Sequence, residues 1–174
     1  MGQSGLLWRD EGVFLQPSSR VLPVNQAAPV LYNSIYRFGV DEKRRLQIPA
    51  KWRPAEENFQ FTLLMLPSSA TKELYLLVLP PEPMQALLGK MKEMPYRDPK
   101  ADSLRRLLGK NSDQAVMDKS GRICIPEQMA KGAAIEREAV LIGSWDRFEI
   151  WNPERYEATS RVDDAMASEA FQLI

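Results

Sequence analysis

The sequence predicts a β-rich α+β protein in which one small unit is written twice. Three observations carry this reading. A nine-residue pattern, Asp41-Glu42-Lys43-Arg44-Arg45-Leu46-Gln47-Ile48-Pro49, returns as Asp118-Lys119-Ser120-Gly121-Arg122-Ile123-Cys124-Ile125-Pro126, offset by 77 residues. Both copies read Asp, three residues, Arg, aliphatic, any residue, Ile, Pro. A Pro-Glu pair then follows an apolar run in each half, Pro81-Glu82 after Leu79 and Pro153-Glu154 after Trp151. Between the halves lies a stretch with helical spacing. A repeat at a fixed period constrains the architecture more strongly than any local propensity. It divides the chain into an N-terminal extension over residues 1–33, a first repeat with a helical insert over 34–110, and a second repeat with a C-terminal helix over 111–174.

Taken in order, residues 1–33 carry Pro17, Pro23 and Pro29 among Ser, Gln and Asn with no sustained period, which reads as an extended or disordered arm. Its Leu6, Leu7, Trp8, Val13, Phe14 and Leu15 are apolar enough to dock on a surface. Ser34–Val40 alternates as a strand with Tyr36 and Phe38 on one face. After the first Asp-to-Arg turn, Leu46 and Ile48 alternate with Gln47 as a return strand, and Pro49 stops it and opens a short helix through Trp52. Phe59–Leu66 and Leu74–Leu79 are strands separated by a Pro67-Ser68-Ser69 loop. Met84, Leu87, Leu88 and Met91 follow helical spacing after Pro81-Glu82-Pro83, a stripe expected to pack in the core or against another subunit. Asp98-Pro99 caps a second helix with Leu104, Leu107 and Leu108 on one side. The second half replays the scheme: a strand at Ala115–Met117, the Asp118 turn, a return through Ile123 and Ile125, a short helix after Pro126, and strands at Ala139–Ile142 and Phe148–Trp151. A closing helix is capped by Asn152-Pro153-Glu154, and its acidic, Ala-rich end after Ser160 is expected to fray.

Composition narrows the function. Of 174 residues, Lys plus Arg and Asp plus Glu number 23 each, so the chain is no generic polyanion binder, although a local basic patch remains open to it. There is no His and a single Cys, Cys124, which removes the commonest general base, the commonest metal ligand and any intrachain disulfide. Cys124, between Ile123 and Ile125, reads as a small strand residue. No apolar run is long enough to span a bilayer, and the N-terminus lacks the basic start and apolar core of a secretory signal. A reducing cytoplasm is the expected compartment. Nucleophile motifs, Gly-rich phosphate loops and metal-ligand spacings are absent, and acid pairs such as Glu56-Glu57 and Asp163-Asp164 are adjacent rather than convergent. The expectation is a protein that is not an enzyme and needs no cofactor, metal or small-molecule substrate.

The repeated turn is the feature with chemistry in it. Asp accepts backbone N–H groups two residues on and closes a turn, and Gly121 supplies a positive φ. Asp41, Asp118 and Gly121 are therefore the loop-ordering residues. A turn held by an Asp–Arg pair with no other role is the plain alternative. Two copies point further: Lys43, Arg44 and Arg45 crowd one tip, Lys119 and Arg122 the other. Cations at hairpin tips suit phosphates, an Arg fork binds guanine O6 and N7, and a two-stranded ribbon fits the major groove. Few phosphate contacts per subunit would give a monomer weak binding.

These two motifs, their Ile-Pro stops and the segment Ile142-Gly143-Ser144-Trp145-Asp146-Arg147-Phe148-Glu149-Ile150-Trp151 resemble the MraZ family of bacterial transcriptional regulators over about residues 34–158. The resemblance implies two AbrB-like swapped-hairpin units in one chain, assembly into a ring, and Asp-x-x-x-Arg loops facing double-stranded DNA that bears short tandem repeats. It implies Arg45 and Arg122 as the DNA-contacting pair, supported by Lys43 and Lys119, and a cytoplasmic, nucleoid-associated repressor. The chain departs from the family pattern at Arg44, where Gly is usual, and at Lys119-Ser120, where the Lys stands one position early. A Cβ at position 44 is expected to strain or reshape the first turn. A ring multiplies weak loops by avidity, and a head-to-tail contact closes one when its rotation allows. The stripe Met84, Leu87, Leu88, Met91 and the apolar arm are the candidates for that contact. The competing reading is a protein-interaction or assembly module without DNA binding, which has no need for paired Arg at both tips.

Overall fold

The computed structural model describes residues 30–174. The arm expected over 1–33, with Leu6, Leu7, Trp8, Val13, Phe14 and Leu15, lies outside the described residues up to position 29. Its last residues are part of the body. Tyr32 is buried and its backbone pairs with Trp145, the amide of each donating to the carbonyl of the other at 2.8 and 2.9 Å. Gly143 permits this approach, since a Cβ there would overlap the backbone of Tyr32 and Asn33.

The first half runs β1 (Ile35–Gly39), β2 (Arg45–Gln47), a 3-10 turn (Ala50–Trp52), β3 (Gln60–Pro67), β4 (Leu74–Leu79) and α1 (Pro81–Glu93). The linking helix α2 (Pro99–Lys110) follows, its Asp98 cap accepting the Lys100 amide at 2.8 Å. The second half runs β5 (Ser112–Val116), β6 (Arg122–Cys124), α3 (Glu127–Gly132), β7 (Glu138–Ser144), β8 (Arg147–Trp151) and α4 (Pro153–Ala170). Each half spells strand, short strand, short helix, hairpin, helix. The prolines that start the short helices have matching backbones, φ −51° and ψ 138° at Pro49, φ −55° and ψ 140° at Pro126. The tail expected to fray after Ser160 is continuous helix to Ala170.

Pairing interleaves the halves. The six-stranded sheet has the order β1-β7-β8-β4-β3-β5, and β2 pairs with β6 in a separate two-stranded ribbon, all antiparallel. Exchanging each strand for its repeat counterpart returns the same order reversed, so the chain has an internal pseudo-twofold. Its axis passes between Leu46 and Ile123, which are partners in the ribbon and occupy the same place in the two motifs. Only the β3–β4 and β7–β8 hairpins pair within one half; β1–β7, β3–β5, β4–β8 and β2–β6 all join the two.

The core is correspondingly shared. Leu46, Ile48, Trp52, Phe61, Leu63, Leu76 and Val78 from the first half and Ile123, Ile125, Leu141, Phe148 and Ile150 from the second are fully buried in one cluster. Trp52 and Phe148 stand 5.2 Å apart, centroid to centroid, with Tyr32 at 5.7 and 5.2 Å from them. The Trp52 indole N–H donates to the Asn33 carbonyl at 3.1 Å. Burial of several such aromatics, worth roughly 1.5–3 kcal/mol each, belongs to neither half alone. The apolar stripe of α1 is not in this core: no α1 residue is fully buried, and on α2 only Ala101 is.

Candidate nucleic-acid interface

The ribbon sorts its side chains by the two-residue period of a strand. Leu46 and Ile123 point into the core and are fully buried. Arg45, Gln47, Arg122 and Cys124 therefore share the opposite, outer face, with Arg45 opposite Cys124 and Gln47 opposite Arg122. Arg45 and Arg122 are diagonal neighbours, a relation that sets Cα atoms about 7–8 Å apart.

Each loop at a ribbon end is built the same way. In the first, Asp41 Oδ1 accepts the amides of Lys43 and Arg45, both at 2.9 Å, and Asp41 Oδ2 accepts Arg45 Nε at 2.7 Å. In the second, Asp118 Oδ1 accepts the amides of Ser120 and Arg122, both at 2.9 Å, and Oδ2 accepts Arg122 Nε at 3.0 Å. The Arg44 amide donates to the Asp41 carbonyl at 2.8 Å and the Gly121 amide to the Asp118 carbonyl at 2.9 Å. The donating residue itself is left-handed in each case, Arg44 at φ 58° and Gly121 at φ 76°, the arrangement of a three-residue hairpin loop. The Arg45 amide, ahead of its guanidinium, holds the Asp41 carboxyl below the usual carboxylate range, and the Arg122 amide does the same for Asp118.

Of the two outcomes expected at Arg44, a reshaped turn or a strained one, the turn keeps the shape of the second loop and Arg44 takes the left-handed backbone. A left-handed L-residue costs about 1–2 kcal/mol. Against that cost stand the Arg44 Nε bond to the Ile125 carbonyl at 3.2 Å and the Ile125 amide bond to the Arg44 carbonyl at 2.9 Å. Across the pseudo-twofold the Ile48 carbonyl accepts Arg53 Nε at 2.8 Å, and Arg53 lies over Gly121 so closely that a Cβ there would overlap it. Arg44 and Arg53 thus cap equivalent carbonyls from different sequence positions, and the Arg44 side chain folds back toward the body, where its charge also lowers the Glu127 carboxyl after the larger effect of Lys131.

The remaining expected residues sit as follows. Lys43 and Lys119 are exposed at the two tips. Arg45 and Arg122 keep 36% and 31% of their side-chain surface accessible while gripped along the Nε edge. Since a guanidinium carries five N–H donors, this grip orients each fork and leaves donors for an outside acceptor. The first loop sets three cations against two carboxylates and the second two against one, so each carries one net positive charge. Gln47 and Cys124 also belong to the outer face, Gln47 donating Nε2 to the carbonyls of Ser120 and Gly121 at 3.0 and 2.9 Å. The alternation Arg45-Leu46-Gln47 and Arg122-Ile123-Cys124 was the signal for both. Arg53 gives no such signal, because its contact is long-range. Among the described residues no group of His, Cys, Asp and Glu could hold a metal, and no helix is long and apolar enough to cross a membrane.

A family model described as "MraZ protein, putative antitoxin-like" matches residues 110–172, which include the second loop. Over 142 residues the chain is 34% identical to the transcriptional regulator MraZ of Herpetosiphon aurantiacus, covering 78% of this chain and 88% of that one. The chain belongs to the MraZ family. It is similar also to the MraZ of Desulfitobacterium hafniense, 33% identical over 80% of this chain and 94% of the relative. The MraZ of Hydrogenovibrio crunogenus is 29% identical over 75% and 85%. All three relatives are transcriptional regulators by name, so the family is one of regulators and not of enzymes.

Proposed function

We propose that this MraZ-family regulator is a DNA-binding repressor that acts in the cytoplasm on nucleoid DNA, engaging short tandem repeats as an oligomeric ring. The observation that carries the reading is the pair of matching Asp–Arg loops at the two ends of one outward-facing ribbon. Arg45 and Arg122 are the base- or phosphate-contacting pair, each pre-oriented by its Asp, which lowers the entropy lost on contact. Lys43 and Lys119 add phosphate attraction, and Arg44 contributes field from a tethered position. A net charge near zero is compatible with this role because each loop carries a local net positive charge.

A gel-shift with DNA from upstream of the chain's own gene tests it. Replacing Arg45 and Arg122 together by Ala should lower affinity at least ~100-fold, as expected for loss of two specific guanidinium contacts, with the melting temperature little changed. Wild-type affinity should fall steeply between about 50 and 200 mM salt; a flat response would exclude phosphate contacts. A second reading, an assembly module without DNA binding, is favoured by the open apolar groove between α1 and α2. No DNA affinity in the wild type would favour it, whereas full affinity kept by the double variant would defeat the assignment of Arg45 and Arg122 alone.

A further inference from the structure

Arg53 stands against the second loop without belonging to it. It follows Trp52 at the end of the 3-10 turn. Its Nε donates to the Ile48 carbonyl at 2.8 Å, and its Nε, Cδ and Cζ crowd the place that a Cβ would take on Gly121. A guanidinium has five N–H donors, and only the one on Nε is used. Arg53 is half-buried, and among the described residues every buried side-chain N or O atom has a partner. Its unbonded Nη groups therefore reach solvent.

The pseudo-twofold gives this placement its meaning. It matches Gly121 with Arg44 and Arg53 with Ala130. Each end of the ribbon thus has one Arg and one small residue, in opposite positions. At the first end the guanidinium comes from the loop tip, with Arg44 Nε on the Ile125 carbonyl at 3.2 Å and buried Ala130 in the other position. At the second end the tip is Gly121 and the guanidinium comes from Arg53. Both ends so carry one tethered guanidinium at the equivalent carbonyl. A hollow of about 260 Å³ beside the second loop is lined by Arg53 and Lys119 and also by Asp118, Glu56 and Glu57. Asp118 is taken up by Arg122, and Glu56 and Glu57 are exposed.

We propose that Arg53 is a DNA-phosphate contact of the second loop, standing there as the tethered guanidinium that Arg44 is in the first. The proposal rests on the DNA-binding reading above and adds a residue from outside the repeated motif. Capping the Ile48 carbonyl accounts for the Nε bond alone. The accessible Nη groups, held in place by that bond, match the paired acceptor oxygens of a phosphate.

The test measures affinity for DNA from upstream of the chain's own gene across about 50–200 mM salt, with circular dichroism melts to check that each full-length variant folds. Arg53→Gln should weaken binding at least ~10-fold, the order expected for one hydrogen bond to a charged group. It should also flatten the slope of log affinity against log salt by ~0.9 or more. Arg53→Lys keeps the charge and should keep the slope. The pair Arg53→Ala with Gly121→Arg moves the guanidinium to the loop tip, as in the first loop, and should bind more tightly than Arg53→Ala alone; this comparison decides the matter if Arg53→Gln does not fold. Unchanged affinity in Arg53→Gln, or weakened affinity with an unchanged slope, would leave Arg53 a carbonyl cap and overturn the proposal while Arg45 and Arg122 stand. A folded double variant no better than Arg53→Ala overturns it too. A wild-type chain that binds no DNA overturns both this proposal and the reading beneath it.

Discussion

Asp41 and Asp118 each close a loop with one carboxylate, and their ionisation is coupled to loop order. Their pKa values are depressed in the folded chain by amide and guanidinium donors. The stabilisation is therefore fully present above the unfolded carboxylate value near ~4 and is lost as pH falls through the lower folded value. Amide resonances of Arg45 and Arg122 should hold their native positions at pH 5 and shift only below about pH 4. Asp118→Ala should lower melting temperature and DNA affinity together, whereas Arg122→Ala should lower affinity more than melting temperature. Gly121→Ala meets both a left-handed backbone and the Arg53 side chain and should cost about 1–3 kcal/mol in urea denaturation. The need for Gly121 was legible from its place in an Asp-to-Arg turn. The tolerance of Arg44 for the same backbone was not, because the carbonyl that receives its guanidinium lies 81 residues away.

Among the elements, strands and helix starts were the readable part. Alternation gave β1 and β2, and Pro at the first helical position marked α1, α2 and α4. The far end of α4 was legible as an acidic, Ala-rich helix: its three carboxylates near a helix C-terminus oppose the macrodipole, while Ala165, Ala167 and Ala170 favour the helix that runs to Ala170. Leu104 and Leu107 of α2 satisfied a helical period yet remain substantially exposed, since periodicity names a face and not its neighbour. One strand carries an electrostatic penalty. Glu149 on β8 is half-buried, which raises its pKa, while a bond from the Trp151 indole N–H at 2.7 Å partly offsets that. A raised acid favours folding below its unfolded value and loses that contribution as pH rises through the folded one. Glu149→Gln keeps an acceptor for Trp151 and removes the charge. It should raise the melting temperature by on the order of 2 °C at pH 7.5 and by less at pH 5, as read by calorimetry.

At the scale of the molecule, the repeat was plain in the sequence, and its interleaving followed only from resemblance, because a strand's pattern fixes its faces and not its partner. With β1, β3, β4 and β2 each paired across the halves, neither half can satisfy its strand edges or its core alone. Residues 30–110 and 111–174 expressed separately should each lack a cooperative melt, and mixing them should restore one. The axis through Leu46 and Ile123 has a further consequence. Were the two loops identical, a protomer turned end for end would present the same surface, and a duplex could be gripped in either polarity. Glu42-Lys43-Arg44 against Lys119-Ser120-Gly121 removes that equivalence, so fusing the halves into one polypeptide gives the ribbon a front and a back, and under the proposed function a duplex would be met in one polarity only.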